Sequence, residues 1–329
     1  MDRNRCAGWL VLRTGLLMFL VASCVYDGRS DCPPGHSRVR IYFSYPSLSL
    51  SGYDGIDPSE AWQVDVFVFD EEGLFVSRLS EEDIALDGTY YIEAILPYGA
   101  YQLVSWFNLH EHYTTWPETF VAGETTLAEA WLSLFALEDA DHVVDYPLHT
   151  LLYGCLEDVS VGADAMVFLD TGDYQSVVVP LRQNTYQLRF TLRGLDSTDA
   201  AYTLRVTDDN GCYYFDNSFA PSRELHYIAS ACGDGSGELE ATMTVLRLDH
   251  GRAPVIRLAS GTESEQVLYE SDLMDLILDL ERNYRMEIDF SVTYRFDIVI
   301  EFTENADGSL NAEVSINGWK QVDEGGAIG

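Results

Sequence analysis

Positive charge is scarce in this chain of 329 residues. Lys and Arg together number 19, whereas Asp and Glu number 54, and the formal net charge at pH 7 is −35. Nucleic-acid-binding proteins need a basic surface to neutralise phosphates, so we exclude nucleic acid as a partner. Docking on anionic lipid head groups is disfavoured for the same reason. The acidity is typical of an exported protein kept soluble by self-repulsion. An apolar content of 47% and an aromatic content of 12% exclude a disordered chain.

Recognisable catalytic and cofactor motifs are also missing. The sequence contains no C-x-x-C pair, no P-loop, no glycine-rich dinucleotide fingerprint and no EF-hand. His110-Glu111-His112 is the only close histidine pair, and because no third ligand follows at a known spacing we predict a solvated loop and no metal site. Ser236, among the glycines of residues 233–237, lacks the strand–turn–helix setting of a nucleophile. With so many acids, neighbouring carboxylates say nothing about glycoside hydrolysis. We therefore predict a non-enzymatic protein with no catalytic residues and no cofactor.

The N-terminal hydrophobic run, residues 16–21, is too short for a membrane-spanning helix, which needs about 20 apolar residues. Three arginines precede it and two small residues follow, so residues 1–23 have the parts of a secretory signal peptide. Val21-Ala22-Ser23-Cys24 resembles the lipobox of bacterial lipoproteins, in which the cysteine becomes the new N-terminus and carries acyl chains. We predict lipidation at Cys24 and a lipidated tether over residues 24–37. The alternative is an ordinary secreted protein with a chance cysteine at this position.

Four further cysteines would remain in the exported chain. Cys6 leaves with the signal peptide and Cys24 is acylated, which leaves Cys32, Cys155, Cys212 and Cys232 as disulfide candidates. Four cysteines allow three pairings, and sequence alone does not decide among them. Because Cys212 and Cys232 are near each other in sequence, we favour that pair, with Cys32 bonded to Cys155.

The first half of the exported chain, residues 38–182, reads as a β-sandwich domain. Residues 38–45 alternate between apolar and polar side chains, as a half-buried strand does, and residues 64–70 are apolar on both faces, which is typical of a central strand. Residues 64–70 and 74–77 are predicted to form a hairpin. Thr126 and Glu129 have the spacing of a capping box before an apolar helical face, so we predict a short helix over residues 127–137.

The second half, residues 183–323, shows the same strand spacing and is followed by a tail over residues 324–329. Residues 202–207 and 212–215 are predicted to pair as a hairpin around Asp208-Asp209-Asn210-Gly211, which accounts for this acidic turn without calcium. An apolar run over residues 267–280 is either a second short helix or a strand, and residues 284–294 are predicted to be a strand. The fold class is therefore mainly β, with two tandem antiparallel β-sandwich domains and one or two short helices.

An ordered set of features is similar to one protein family. Asp31-Cys32-Pro33 leads into an alternating strand, a later strand ends at Trp106, Leu152-Tyr153-Gly154 and residues 184–192 follow, and Ile316-Asn317-Gly318-Trp319 comes last. With the lipobox, this order resembles the FimB/Mfa2 family of fimbrial anchor subunits in Bacteroidales. The resemblance implies transthyretin-like domains, lipid anchoring in the outer membrane, surface exposure and a place at the base of a type V fimbrium. It also implies pilin subunits as partners, joined by strand addition.

Two alternatives remain open. In the first, cleavage after Arg38 or Arg40 releases the lipid, and the chain is a stalk or tip fimbrilin. In the second, the chain is a surface lipoprotein that binds a glycan or a peptide on a platform of aromatic side chains, drawn from Trp62, Trp106, Trp116 and Trp131. Trp62 and Trp116 lie next to loops and are the better ligand candidates. Trp106 and Trp131 lie in periodic apolar segments, which favours a core position for both.

Overall fold

The computed structural model describes residues 33–45, 56–109, 112–134, 142–161, 174–195, 201–233, 237–261 and 266–320. The strands in these residues are β1 (His36–Ser44), β2 (Gln63–Asp70), β3 (Phe75–Glu82), β4 (Tyr91–Pro97), β5 (Gly99–Phe107), β6 (Tyr113–Trp116), β7 (Trp131–Leu134), β8 (Val143–Val144), β9 (Leu152–Val161), β10 (Tyr174–Gln183), β11 (Thr185–Arg193), β12 (Tyr202–Asp208), β13 (Cys212–Tyr214), β14 (Leu225–Gly233), β15 (Leu239–Leu246), β16 (Val255–Ser260), β17 (Gln266–Asp272), β18 (Arg295–Glu304), β19 (Leu310–Ile316) and β20 (Trp319–Lys320). The helices are α1 (Leu273–Tyr284) and two 3-10 turns, Pro58–Glu60 and Leu127–Glu129.

Seven of the ten described strands before Asn184 form one sheet in the order β3-β2-β5-β9-β10-β1-β4. β1 follows the predicted alternation, because Val39, Ile41 and Phe43 are buried while the residues between them are partly exposed. β2 lies between β3 and β5 and is buried on both faces, as predicted for a central strand. The predicted hairpin of β2 and β3 is confirmed. β10 pairs first with β1 and then with β9, so the sheet folds over on itself around one core.

All the described strands after Asn184 except β13 form a second large sheet in the order β17-β16-β12-β14-β15-β11-β18-β19-β20, with β8 added beside β14. Its first strand, β11, lies between the antiparallel β15 and the parallel β18. β1 has the same setting, between the antiparallel β4 and the parallel β10. The predicted fold class is thus confirmed as mainly β and sandwich-like, although three pairs of the described strands are parallel: β1 with β10, β11 with β18, and β8 with β14. By their contacts, the described residues group as one compact unit.

The predicted helix over residues 127–137 is wrong beyond its first turn. The capping box forms, since Glu129 Oε1 accepts a hydrogen bond of 3.0 Å from the Thr126 backbone N–H, but only Leu127–Glu129 are helical. From Ala130 the backbone is extended, and β7 pairs with β6 and β13 in a small third sheet. These strands supply the hydrogen bonds that a longer helix would have made within itself. Residues 135–137 lie outside the described residues.

The predicted hairpin between residues 202–207 and 212–215 is also wrong. β12 pairs with β14 and β16, whereas β13 pairs with β7. The turn between them is held by a buried side chain: Asn210 donates to the Leu246 carbonyl over 3.0 Å and accepts from the Tyr227 hydroxyl over 2.7 Å. These bonds direct the chain away from β12. Long-range bonds of one asparagine therefore override the local hairpin preference of Asn-Gly.

The apolar run over residues 267–280 is part strand and part helix. β17 ends at Asp272, whose carboxylate accepts hydrogen bonds from the backbone N–H groups of Met274 and Asp275, and α1 begins directly after it. The strand predicted over residues 284–294 is wrong. α1 continues to Tyr284 and ends at Arg285 in the left-handed conformation, and the residues after Arg285 form a loop.

Candidate functional site

The predicted lipidation site lies outside the described residues, as does Cys32. The described chain begins at Pro33, next to a turn in which the His36 backbone N–H donates to the Pro33 carbonyl over 3.0 Å. The Tyr98 N–H donates to the Gly35 carbonyl over 2.8 Å, which fixes this turn at the end of β4. The end of the predicted tether therefore leads directly into β1, which lies between β10 and the edge strand β4.

Cys212 and Cys232 are free thiols, so the favoured Cys212–Cys232 disulfide is not formed. Cys212 Sγ lies 3.2 Å from Ser133 Oγ in the third sheet. Its neighbour Gly211 lies against Leu225, at the start of β14, whereas Cys232 is seven residues further along that strand, about 23 Å away. A disulfide needs Cα atoms within about 7 Å. Burial raises the pKa of the Cys155 thiol, and its pairing with Cys32 stays a prediction.

Two arginines of β1 form ion pairs with a single glutamate of β4. Arg38 Nε and Arg40 Nε lie 3.1 Å and 3.3 Å from the carboxylate oxygens of Glu93. The Arg40 guanidinium also lies over the rings of Tyr91 and Tyr174, with centroid distances of 4.5 Å and 3.8 Å. Both positions of predicted cleavage therefore lie inside a strand that has a neighbour on either side.

Free strand edges are the sites at which a second chain can add a strand, and they differ in character here. β3 and β4 end the first sheet, and β17 and β20 end the second. β3 finishes in the exposed Glu81 and Glu82, and its first residue is bonded to the loop over residues 121–127. β4 contains one charged residue, which is paired, and both Ile95 and Tyr98 are 50% exposed. The edge of β4 is therefore the less charged of the two.

The four candidate tryptophans occupy different environments. Trp106 is fully buried against Tyr153 and Phe215, which confirms its core position. Trp62 is partly buried and lines an open cavity of about 500 Å³ near His149. Trp116 and Trp131 are stacked 6.2 Å apart on the third sheet, and both are solvent-accessible. The predicted core position of Trp131 is wrong because its strand turns this side chain outward.

A segment of the second half, β13 and the turn after it, packs into the core of the first half. The Phe215 ring is fully buried, with centroids 4.9 Å from Phe67, 6.3 Å from Phe69 and 5.5 Å from Phe120. The Tyr153 hydroxyl donates to the Phe215 carbonyl over 3.0 Å. We call residues 212–219 the interlock segment, because it belongs to the second half by sequence and to the first by packing.

The interlock segment also makes hydrogen bonds and cation–π contacts with residues outside the first half. Asn217 exchanges hydrogen bonds with Asn184, the residue between the two large sheets, at 2.6 Å and 3.3 Å. The guanidinium groups of Arg247 and Arg252 lie over the Phe219 ring at 4.1 Å and 4.3 Å. Arg252 Nε in turn bonds both oxygens of the buried Asp208. The segment is therefore fixed on both sides by specific contacts.

We expect Asp208 to make stability depend on pH. Burial raises the pKa of its carboxyl from 3.8 to about 6, although Arg252 opposes the shift. As the pH rises from about 4 to 6, the unfolded chain loses this proton first, so stability falls over that window and is level above it. In urea titrations, the free energy of unfolding of Asp208→Asn should rise relative to that of the parent by up to roughly 3 kcal/mol between pH 4 and pH 7. A constant difference across this range would contradict the assignment, and Glu304→Gln, which replaces an exposed acid of β18, is the control.

The described residues contain no group of three or more His, Cys, Asp or Glu side chains arranged to hold a metal ion. His112 stacks on Tyr146 at 4.0 Å, and His110 and Glu111 lie outside the described residues. No helix in the part of the chain that the structure describes has the length and apolar character needed to cross a membrane.

Comparison with known proteins gives three likenesses that cover most of the chain. The minor fimbrium anchoring subunit Mfa2 of Porphyromonas gingivalis is 24% identical over 313 residues, which cover 91% of this chain and 90% of that protein. The solved structure of Mfa2 has a TM-score of 0.67 at 22% identity and covers 86% of this chain and 98% of that one. A suspected polysaccharide-binding protein of Bacteroides thetaiotaomicron has a TM-score of 0.70 at 21% identity, with 88% and 99% covered.

The fold and the sites define a β-sandwich protein whose notable features are a buried segment shared by its two halves and free strand edges. The sequence profile of the fimbrillin-A associated anchor proteins Mfa1 and Mfa2 matches residues 29–325. The chain therefore belongs to this family, as the resemblance predicted.

Proposed function

We propose that this chain is a non-enzymatic, lipid-anchored subunit that attaches a fimbrium to the outer membrane and joins the adjacent pilin by strand addition. The match of the anchor family over residues 29–325 carries the proposal. The signal-like segment that ends at Cys24 supports lipid attachment, since acyl chains contribute about 0.8 kcal/mol per buried methylene and two or more chains hold stably. Attachment at the cell surface follows from these two features together.

The edge of β4 is our candidate for strand addition. It carries a single charge, Glu93, which Arg38 and Arg40 neutralise, and it exposes Ile95. Added strands gain affinity from backbone hydrogen bonds and specificity from side-chain contacts, so an edge with few free charges is suitable for a pilin strand. The charged end of β3 opposes such pairing.

The alternative of a cleaved stalk or tip subunit fits the folded chain less well. Cleavage after Arg38 or Arg40 would cut β1 between β4 and β10, where it is bonded on both sides and where both arginines are paired. Proteases act on exposed, unpaired backbone, so β1 would have to leave the sheet first. This geometry supports an anchor that keeps its lipid.

The location of the fibres tests the proposal. When the gene for this chain is removed from its own cell, we expect most fibres to be shed into the medium, because the attachment point is lost while pilin assembly continues. Immunoblots of pilin in medium and cell fractions, with negative-stain electron microscopy of both, measure the effect. Restoring the intact gene should return the fibres to the cells. Fibres that remain attached without this chain would refute the anchor function.

A further inference from the structure

The outward face of the third sheet carries two ordered rows of side chains. Trp116 of β6 is opposite Trp131 of β7, which is opposite Tyr214 of β13, so three aromatic rings lie side by side across three adjacent strands. Trp116 is 53% exposed and Tyr214 is 36% exposed. Neighbouring strands are about 4.8 Å apart, so the row extends for about 10 Å. Trp131, between these two exposed rings, is half-buried, and contiguous exposed apolar surface on a soluble protein often marks a binding site.

The second row is made of small polar side chains. Two residues from the aromatic row, Thr114 is opposite Ser133, and Ser133 is opposite Cys212. Because side chains alternate along a strand, Thr114 and Ser133 share the outward face with the rings, whereas the Cys212 thiol beside them is buried. The opposite face is apolar: Leu132, Leu134 and Tyr213 are buried there. The sheet therefore has a core face and an outward face that combines aromatic rings with hydroxyl groups.

We propose that this aromatic-hydroxyl face binds a neutral glycan. Sugar rings have an apolar side that stacks on aromatic rings and hydroxyl groups that pair with Thr and Ser, so the two rows match the two parts of such a ligand. The six side chains carry no formal charge, although the chain as a whole is at −35. Exposed Glu118 and Asp216 follow the aromatic row two residues further along the chain, so they repel sialylated or sulfated glycans.

The position of the face distinguishes this ligand from a pilin strand. An added strand bonds the backbone at a sheet edge, whereas the rings project from the face of the sheet. The glycan site is therefore separate from the proposed strand-addition edge at β4. It uses different residues, and it does not depend on the anchor function.

Calorimetric titration of the purified full-length chain tests the site. The probes are cellohexaose, xylohexaose, mannohexaose and laminarihexaose, with 3′-sialyllactose and hexa-arginine as charged probes. The detergent is lauryldimethylamine oxide, which has no sugar head group to compete. We expect saturable binding of at least one neutral hexasaccharide, and Trp116→Ala and Tyr214→Ala should each weaken it by about 10-fold or more. Trp319→Ala removes a comparably exposed tryptophan elsewhere, and it should leave binding unchanged.

Three results would overturn the proposal. The first is no saturable binding of any of the four neutral probes. The second is binding that survives both Trp116→Ala and Tyr214→Ala in variants whose melting temperature matches the parent. The third is binding of only 3′-sialyllactose or hexa-arginine, which would assign the face to a charged ligand. None of these results bears on whether fibres are anchored, so failure here and failure of the anchor function are distinguishable.

Discussion

Replacing Phe215 with alanine is expected to lower the free energy of unfolding by about 3–5 kcal/mol, the usual cost of removing a large buried ring. The ring is fully buried and contacts Phe67, Phe69, Phe120 and Trp106, all in the first half of the chain. Because the interlock segment belongs to the second half by sequence, the loss of stability should appear in strands of the first half, which are far from Phe215 in sequence. Urea denaturation followed by far-ultraviolet circular dichroism measures the total effect.

Amide hydrogen exchange shows which strands lose stability in Phe215→Ala. In Phe215→Ala we expect faster amide exchange in β2 and β5, the strands of the first half that contact the ring. Phe296→Ala is the matched control, since Phe296 is equally buried but packs on Tyr186 and Phe290 within the second half. It should speed exchange in β11 and β18 and leave β2 and β5 as in the parent. If Phe215→Ala left exchange in β2 and β5 unaltered, the interlock would not couple the two halves.

A coupled pair of sandwiches is suited to transmitting force. Domains joined only by a flexible linker reorient under load, whereas halves that share a buried segment move together. Here Asn184, between the sheets, is bonded to Asn217 of that segment, and Phe219 lies beneath two arginines of the second half. An anchor between a membrane and a fibre would benefit from such rigidity.

Much of the fold was predictable because it is encoded locally. Alternating apolar residues identified β1, and apolar residues on both faces identified β2 as a central strand. The predictions that are wrong concern segments whose structure depends on residues distant in sequence. The Thr126–Glu129 capping box does begin a helical turn, but the residues after it form β7, which pairs with β6 and β13. Likewise, Asn-Gly predicts a hairpin, but the Asn210 side chain is bonded to Leu246 and Tyr227 instead. The limits of 38–182 and 183–323 for the two domains stay predictions.

The candidate sites were less predictable than the fold. The aromatic-hydroxyl face unites three strands whose sequence positions differ by up to about 100 residues, and only their register places Trp116, Trp131 and Tyr214 in one row. Tyr214 had no distinguishing signal in the sequence. The favoured Cys212–Cys232 disulfide failed for a related reason, since nearness in sequence says little when the intervening chain crosses to another sheet.

Replacing Cys24 with alanine is expected to abolish membrane attachment. If Cys24 carries the acyl chains, the Cys24→Ala chain is not acylated. It then loses the full anchoring energy of about 0.8 kcal/mol per buried methylene. The variant protein should move from the membrane fraction to the soluble fraction, and fibres should be shed as they are after removal of the gene. Labelling cells with an alkyne analogue of palmitate and blotting the fractions measures both changes.

Cys32→Ala is the matched control, because it removes a thiol eight residues away and leaves the lipobox-like segment intact. This variant should keep its label, remain in the membrane fraction and retain its fibres. The pair of substitutions also separates lipid attachment from fibre joining. If Cys24→Ala shed its fibres together with the variant chain bound to them, the joining surface would be intact and only the anchor lost. A Cys24→Ala chain that still took up the label and stayed in the membrane would show that the acyl group is attached elsewhere, and the lipobox interpretation would be wrong.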